Sequence, residues 1–137
     1  MELHYEKGEV ILSMKGYVIK ALKEFRHIPP NKPFDAPAKF HQPEFGQKVQ
    51  YERIDISEKL TAKQIQTIQE VCGKFLYTSR AVDGTMHHTL NELCIAATKG
   101  PQETQDALEY FLNYCATHPE AEIIYRATDM ILTGFRL

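Results

Sequence analysis

The run Thr61-Ala62-Lys63-Gln64-Ile65 opens the stretch that decides the fold. Thr61 stands where an N-cap hydroxyl can accept from the backbone of Gln64, and the Gln64 side chain stands where it can return the bond. The run therefore reads as a capping box, the start of a helix. Behind it, Ile65, Ile68, Cys72, Phe75, Leu76 and Ser79 fall at helical spacing and form one face through about Arg80. Asp83-Gly84 breaks the pattern. A second helix from about Thr85 aligns Met86, Leu90, Leu93, Cys94 and Ala97, and Gly100-Pro101 stops it. Pro101 opens a third, with Leu108, Phe111, Leu112 and Cys115 on one face and His118-Pro119 at its end. Each cysteine falls on a predicted apolar face, so all three are expected as small buried hydrophobes rather than reactive thiols. Short connections between three amphipathic helices predict a small bundle over 57–118.

Outward from that bundle the signals change period. In 1–28, Leu3–Glu6, a Lys7-Gly8 turn and Glu9–Met14 fit a β-hairpin, with Gly8 supplying a positive φ. Val10-Ile11-Leu12 is too apolar for a strand with one wet face, so a cover on both sides is expected. After Gly16, Val18, Ala21, Leu22 and Phe25 give a short amphipathic helix that ends before Pro29-Pro30. Residues 29–56 hold five prolines (29, 30, 33, 37, 43) and no sustained period. Phe34, Phe40, Phe45 and Tyr51 suit a loop laid along the protein with each aromatic in a groove, and a Pro-rich linker is the other reading. In 119–137, Glu122-Ile-Ile-Tyr-Arg126, a turn at Ala127-Thr128-Asp129 and Met130-Ile-Leu-Thr-Gly134-Phe135 read as a second hairpin. The expected class is α+β, mostly α.

Composition narrows function. With 137 residues, 43% hydrophobic and 25% charged, the chain fits one domain or one domain with an appendage. No apolar run approaches the ~18–20 residues of a membrane span, and Met1-Glu2-Leu3-His4 does not start a signal peptide, so an intracellular place, cytoplasmic or nuclear, is expected. Cys72, Cys94 and Cys115 are odd in number and widely spaced, which fits neither a disulfide framework nor a close-spaced zinc site. Net charge is −2, but residues 1–98 carry 13 Lys and Arg against 12 Asp and Glu, while 99–137 carry 3 against 6. Any footprint for nucleic acid belongs in the first two-thirds.

Catalytic candidates fail one by one. His87 and His88 are adjacent and on a helix point about 100° apart, so they cannot chelate as an i, i+4 pair would. His118 suits a helix end. Asp35, Asp55, Asp83, Asp106 and Asp129 are scattered singly, whereas two-metal chemistry needs carboxylates converging on ions about 4 Å apart. No phosphate-cradling glycine loop or Gly-x-Ser-x-Gly elbow occurs. The chain is read as no enzyme, with no cofactor and no metal.

One resemblance supplies a context. Gln69-Glu-Val-Cys-Gly73-Lys74-Phe-Leu-Tyr77-Thr-Ser-Arg80-Ala-Val-Asp83-Gly84-Thr-Met86 resembles a block of copia-type long-terminal-repeat retrotransposon polyproteins that falls just after the reverse-transcriptase palm. Met14-Lys-Gly-Tyr-Val18-Ile-Lys-Ala-Leu22-Lys-Glu-Phe25 resembles the segment that follows the palm's last hairpin. Asn113-Tyr-Cys-Ala-Thr-His118-Pro119-Glu-Ala and Tyr125-Arg-Ala-Thr-Asp129-Met resemble the run into ribonuclease H. The blocks agree in order and span about 3–133. The resemblance implies a thumb and connection segment: 1–28 ends a palm-like region, 57–118 is a thumb-like bundle and 119–137 starts a ribonuclease-H-like region. It also implies that the polymerase and ribonuclease H aspartates lie outside this chain, leaving a non-catalytic, domesticated fragment.

In retroviral relatives a thumb helix enters the minor groove of the primer–template duplex and reads Ile-Gln-x-x-x-Gly-Lys-x-x-Trp. Here Ile68-Gln69-Glu-Val-Cys-Gly73-Lys74-Phe-Leu-Tyr77 stands at the same spacing, with Tyr in place of Trp. Gln69, Gly73 and Tyr77 are i, i+4 and i+8, one stripe of a helix. Gly73 costs ~1 kcal/mol mid-helix relative to Ala, so close approach of a sugar–phosphate backbone or of another helix is expected there. Lys63, Lys74 and Arg80 are the candidate phosphate contacts. The Leu3-His4-Tyr5 start lacks the aromatic-Met-Gly signature of the retroviral primer grip. The expected partner is an RNA/DNA or DNA/DNA duplex, bound weakly and without sequence preference. The alternative is a protein-interaction or self-associating module with no nucleic-acid role. The Val10–Leu12 and Met130–Leu132 strands need edges to pair with. The hairpins can meet within one chain or across a two-fold homodimer, and the dimer is favoured because the family's two hairpins belong to different domains.

Overall fold

The computed structural model describes residues 1–6, 8–40, 45–46, 59–99 and 102–126. Strands β1 (Glu2–Glu6) and β2 (Glu9–Ser13) come first, then helix α1 (Tyr17–Glu24). Helices α2 (Ala62–Ala81), α3 (His87–Lys99) and α4 (Glu103–Thr117) follow, and strand β3 (Glu122–Arg126) ends the described chain. The fold is α+β and mostly helical, with four helices and one antiparallel sheet of order β1-β2-β3 among the described residues.

The helices begin where side chains satisfy their orphan donors. At α2 the capping box is complete: Gln64 N–H donates to Thr61 Oγ1 at 3.4 Å, and Thr61 N–H donates to Gln64 Oε1 at 2.9 Å. Asp83 Oδ1 accepts from Thr85 N–H at 3.2 Å and starts a 3₁₀ turn, Gly84–Met86, that leads into α3. Glu103 and Asp106 lie in the first turn of α4, where carboxylates suit the positive end of the helix dipole. Gly16 precedes α1 at φ 72°, a left-handed turn that an L side chain adopts only at a cost.

One core joins all four helices. Val18, Ala21 and Leu22 of α1 pack with Ile68, Val71, Cys72 and Phe75 of α2, Leu90, Leu93 and Ala97 of α3, and Leu108, Phe111 and Cys115 of α4. The Phe75 and Phe111 rings meet edge to face at 5.5 Å, and both are fully buried. Burying each such ring contributes about 1.5–3 kcal/mol. The three predicted helices are present, and the short N-terminal helix forms a fourth wall. Ile65 and Leu76 of the expected α2 face are only half-buried, and Val71, which that face omitted, is buried.

Cys94 departs from expectation. Cys72 and Cys115 are buried as expected, but Cys94 is exposed. On α3 it neighbours the inward Leu90, Leu93 and Ala97, yet that helix also turns Ile95, 59% exposed, to the outside. An apolar side chain at nearly helical spacing is not enough to assign the inside when the stripe is wider than the neighbour that covers it.

The expected N-terminal hairpin is present, with Leu3 opposite Leu12, Tyr5 opposite Val10 and Gly8 at φ 82° in its turn. β3 pairs antiparallel on the other side of β2, with Ile123 opposite Leu12 and Tyr125 opposite Val10. Of the two remedies for the β2 edge, the chain uses the intramolecular one: β2 is central and takes β3 of the same chain. The predicted turn at 127–129 and the Met130–Leu132 strand lie outside the described residues. The expected cover over Val10-Ile11-Leu12 is absent among the described residues. These three side chains stay half-exposed, and no helix Cα comes within 8 Å of a strand Cα.

In the described part of the Pro-rich segment, Phe34 docks on α4. Phe34 meets the Tyr110 ring edge to face at 4.8 Å, its N–H donates to Thr117 Oγ1 at 3.2 Å, and Lys39 Nζ lies 5.7 Å from the same ring's centre. The expectation that every aromatic of this segment fills a groove is corrected at Phe40 and Phe45, which are 86% and 89% exposed. Tyr51 lies outside the described residues.

Candidate nucleic-acid interface

Helix α2 buries Ile68, Val71, Cys72, Phe75, Thr78 and Ser79, which leaves its opposite face to solvent. At about 100° per residue, Gln66, Gln69, Gly73, Tyr77 and Arg80 fall on that outer face. The structure exposes all five, and Lys63 in the first turn as well. Lys63 and Arg80 stand about 25 Å apart along the axis, one near each end. Between them the face is neutral, apart from Glu70, whose Oε1 accepts from Gln66 Nε2 at 2.9 Å.

Gly73 lies at the centre of this face. Beyond its own helical turn, a Cβ added there would meet no heavy atom of the described residues within 4 Å. The glycine therefore does not serve a close helix–helix crossing in this fold, one of the two reasons the sequence allowed for it.

Lys74 and Tyr77 are set by α1. Lys74 is half-buried, ion-pairs with Glu24 and lies with its Nζ 5.3 Å from the centre of the Phe25 ring. Of the three basic candidates it alone has an ion-pair partner among the described residues. Tyr77 is 56% exposed, and its ring leans on Tyr17 with centroids 5.8 Å apart. Tyr17 OH in turn donates to the Lys74 carbonyl at 3.2 Å, fastening the start of α1 to the middle of α2. Tyr17 was missed in the sequence because the inward pattern of α1, starting at Val18, explained that helix without it. The signal that could have found it is an aromatic in the first turn beside an i, i+4, i+8 stripe ending in another.

The remaining polar candidates are locally satisfied. His87 Nδ1 is 3.3 Å from Ser79 Oγ, His88 pairs with Glu92 at 3.2 Å, and His118 stacks near Tyr114 with its Nε2 3.6 Å from Asp35. Among the described residues no group of three His, Cys, Asp or Glu is placed to hold a metal ion. No helix of the described residues is long and apolar enough to cross a membrane.

The sheet supplies a second exposed surface. Directly opposed residues share a face, so Leu3, Leu12 and Ile123 form one row and Tyr5, Val10 and Tyr125 the next, with no charged side chain among them. Leu3, Tyr5 and Tyr125 are 67%, 74% and 57% exposed. No protein-family model, no curated protein and no solved structure matches this chain.

Proposed function

We propose that the outer face of α2 binds a nucleic-acid duplex, weakly and without sequence preference, in a non-catalytic segment of the thumb and connection type of copia-type retroelement polymerases. The observation that carries this reading is Gly73. A mid-helix glycine sacrifices about 1 kcal/mol relative to alanine, and among the described residues no atom beyond its own helical turn occupies the space it leaves. The missing Cβ makes room for a group from outside, and a sugar–phosphate backbone suits a strip with a cation towards each end and one carboxylate, Glu70, that is held by Gln66. In this reading Gln69 bonds to minor-groove acceptors, Tyr77 lies on a sugar, and Lys63 and Arg80 meet phosphates. Lys74 joins them by exchanging Glu24 for a phosphate.

Scattered carboxylates make metal-dependent catalysis no part of this proposal. Mg²⁺-dependent primer extension or RNA cleavage by pure protein would contradict it. The direct test is a salt titration of duplex binding. The expected dissociation constant is in the range ~10⁻⁴–10⁻⁶ M, with two to three phosphate contacts giving a log–log salt slope of about −2 to −3. Tyr77→Ala should weaken binding more than it disturbs folding. Binding that is flat in salt, or unchanged by Tyr77→Ala, would overturn the reading.

The apolar sheet face favours a second reading, a self-associating module with no nucleic-acid role. Leu3, Tyr5 and Tyr125 then meet a second copy of the chain. Sedimentation equilibrium distinguishes the two. Association that persists or strengthens with salt and is abolished by Tyr5→Lys supports this reading, and a clean monomer at micromolar concentration rejects it.

A further inference from the structure

Two of the three cysteines face each other across the seam between α2 and α3. The Cys72 thiol donates to the Leu90 carbonyl at 4.0 Å. In an α-helix that carbonyl is also the acceptor for the N–H four residues on, which is Cys94. The Cys72 sulfur thus sits on the turn that carries Cys94, near enough for Cys94 to raise the Cys72 thiol. Their surroundings differ sharply. Cys72 is 2% exposed, whereas Cys94 opens to solvent. Cys115 is remote from this pair in its contacts, its sulfur 3.9 Å from Met86 Sδ inside the core.

We propose that Cys94 and Cys72 form an oxidisable dithiol, in which a peroxide attacks the accessible Cys94 sulfur and Cys72 then closes a disulfide between α2 and α3. The steps balance without any further reactant. The Cys94 thiolate attacks one peroxide oxygen, so that an S–O bond forms and the O–O bond breaks. The sulfur is oxidised to a sulfenic acid, and the departing hydroxide takes up a proton to become water. The Cys72 sulfur then attacks the sulfenic sulfur. An S–S bond forms, the S–O bond breaks, and the leaving hydroxide takes the Cys72 proton as a second water.

Burial governs the pace of the second step. It pushes the Cys72 thiol up to about 12, with the adjacent Cys94 adding to the effect. Since the thiolate is the attacking form, closure is slow at neutral pH. The sulfenic acid on Cys94 therefore persists long enough for a sulfenic-acid-specific nucleophile to trap it.

The test uses the full chain treated with stoichiometric hydrogen peroxide, followed by intact mass and a non-reducing peptide map. The expected product is lighter by two hydrogens and carries a Cys72–Cys94 linked peptide, in the parent and equally in Cys115→Ser. Cys72→Ser should instead gain one or two oxygens at Cys94. Cys94→Ser, a surface change that leaves the core intact, should form no linkage and keep Cys72 reduced. A parent that only adds oxygens at Cys94, or that joins Cys94 to Cys94 of a second chain, overturns the proposal. So does a Cys94→Ser protein whose Cys72 oxidises as fast as the parent's.

Discussion

The helical bundle and the three-stranded sheet are built from equally apolar sequence but bury it very differently. In the bundle the apolar residues recur at the helical period, so each helix presents one stripe and neighbours cover it. Phe75, Phe111, Leu90 and Ala97 end at 0% exposure. In the sheet, Val10, Ile11 and Leu12 are consecutive and so point to alternating faces. Side chains on both faces would need cover, and among the described residues no helix supplies it. Stability is thus concentrated in the helices, while the sheet keeps apolar surface available. A hydrophobic run reports what a segment needs, and only its period reports whether the same chain can provide it.

The largest expected effect breaks this comparison most cleanly. Phe111→Ala should cost about 3–5 kcal/mol in urea unfolding, because it opens a cavity against Phe75 in a close-packed core. Tyr5→Ala, which removes a ring that is 74% exposed, should stay within about 0.5 kcal/mol. Similar losses at the two sites would mean that the sheet is covered and the contrast is wrong.

A second effect belongs to the bundle alone. Burial raises the Cys72 thiol from its ordinary 9.0 to about 12, and raises Cys115 further. Below pH 9 both thiols are protonated in either state. Above it the unfolded chain releases their protons and the folded chain does not, so stability must fall as pH rises. Between pH 9 and 10, as the unfolded thiol goes from half to almost fully ionised, the expected loss is about 1 kcal/mol for each thiol. Comparing unfolding at pH 9 and 10, Cys115→Val should remove one thiol's share of the slope. An unchanged slope would show that other groups carry the dependence.

A smaller effect sharpens the local account of α2. Thr61→Ala removes the hydroxyl that accepts from Gln64 N–H, and should cost about 1 kcal/mol in thermal or urea unfolding. No loss would make the capping box dispensable and leave packing as the sole reason the helix starts there.

Legibility followed the same divide. The capping box, the turn at Asp83 and the faces carrying Ile68, Phe75, Leu90, Phe111 and Cys115 were readable because periodicity and caps are local signals. The N-terminal hairpin was readable from Gly8 and its flanks. The pairing of β3 with β2 was foreseen only as one of two options, since the choice rests on contacts more than a hundred residues apart. Cys94 was misread because a stripe does not report how wide its neighbour is. At the site, the stripe of Gln69, Gly73 and Tyr77 was legible as spacing. The tie between Lys74 and Glu24 and the packing of Tyr77 on Tyr17 depend on where α1 lands, which no local pattern encodes.

The measurement that bears most directly on the α2 face is Gly73→Ala, followed for stability and for duplex affinity in the same buffer. The added methyl enters open space and favours the helix, so unfolding should require about 1 kcal/mol more. The same methyl stands where the duplex backbone would approach, so the dissociation constant should rise about tenfold, equivalent to ~1.4 kcal/mol. Opposite signs, a firmer fold with weaker binding, are the predicted result. A firmer fold with unchanged or tighter duplex binding would contradict the account.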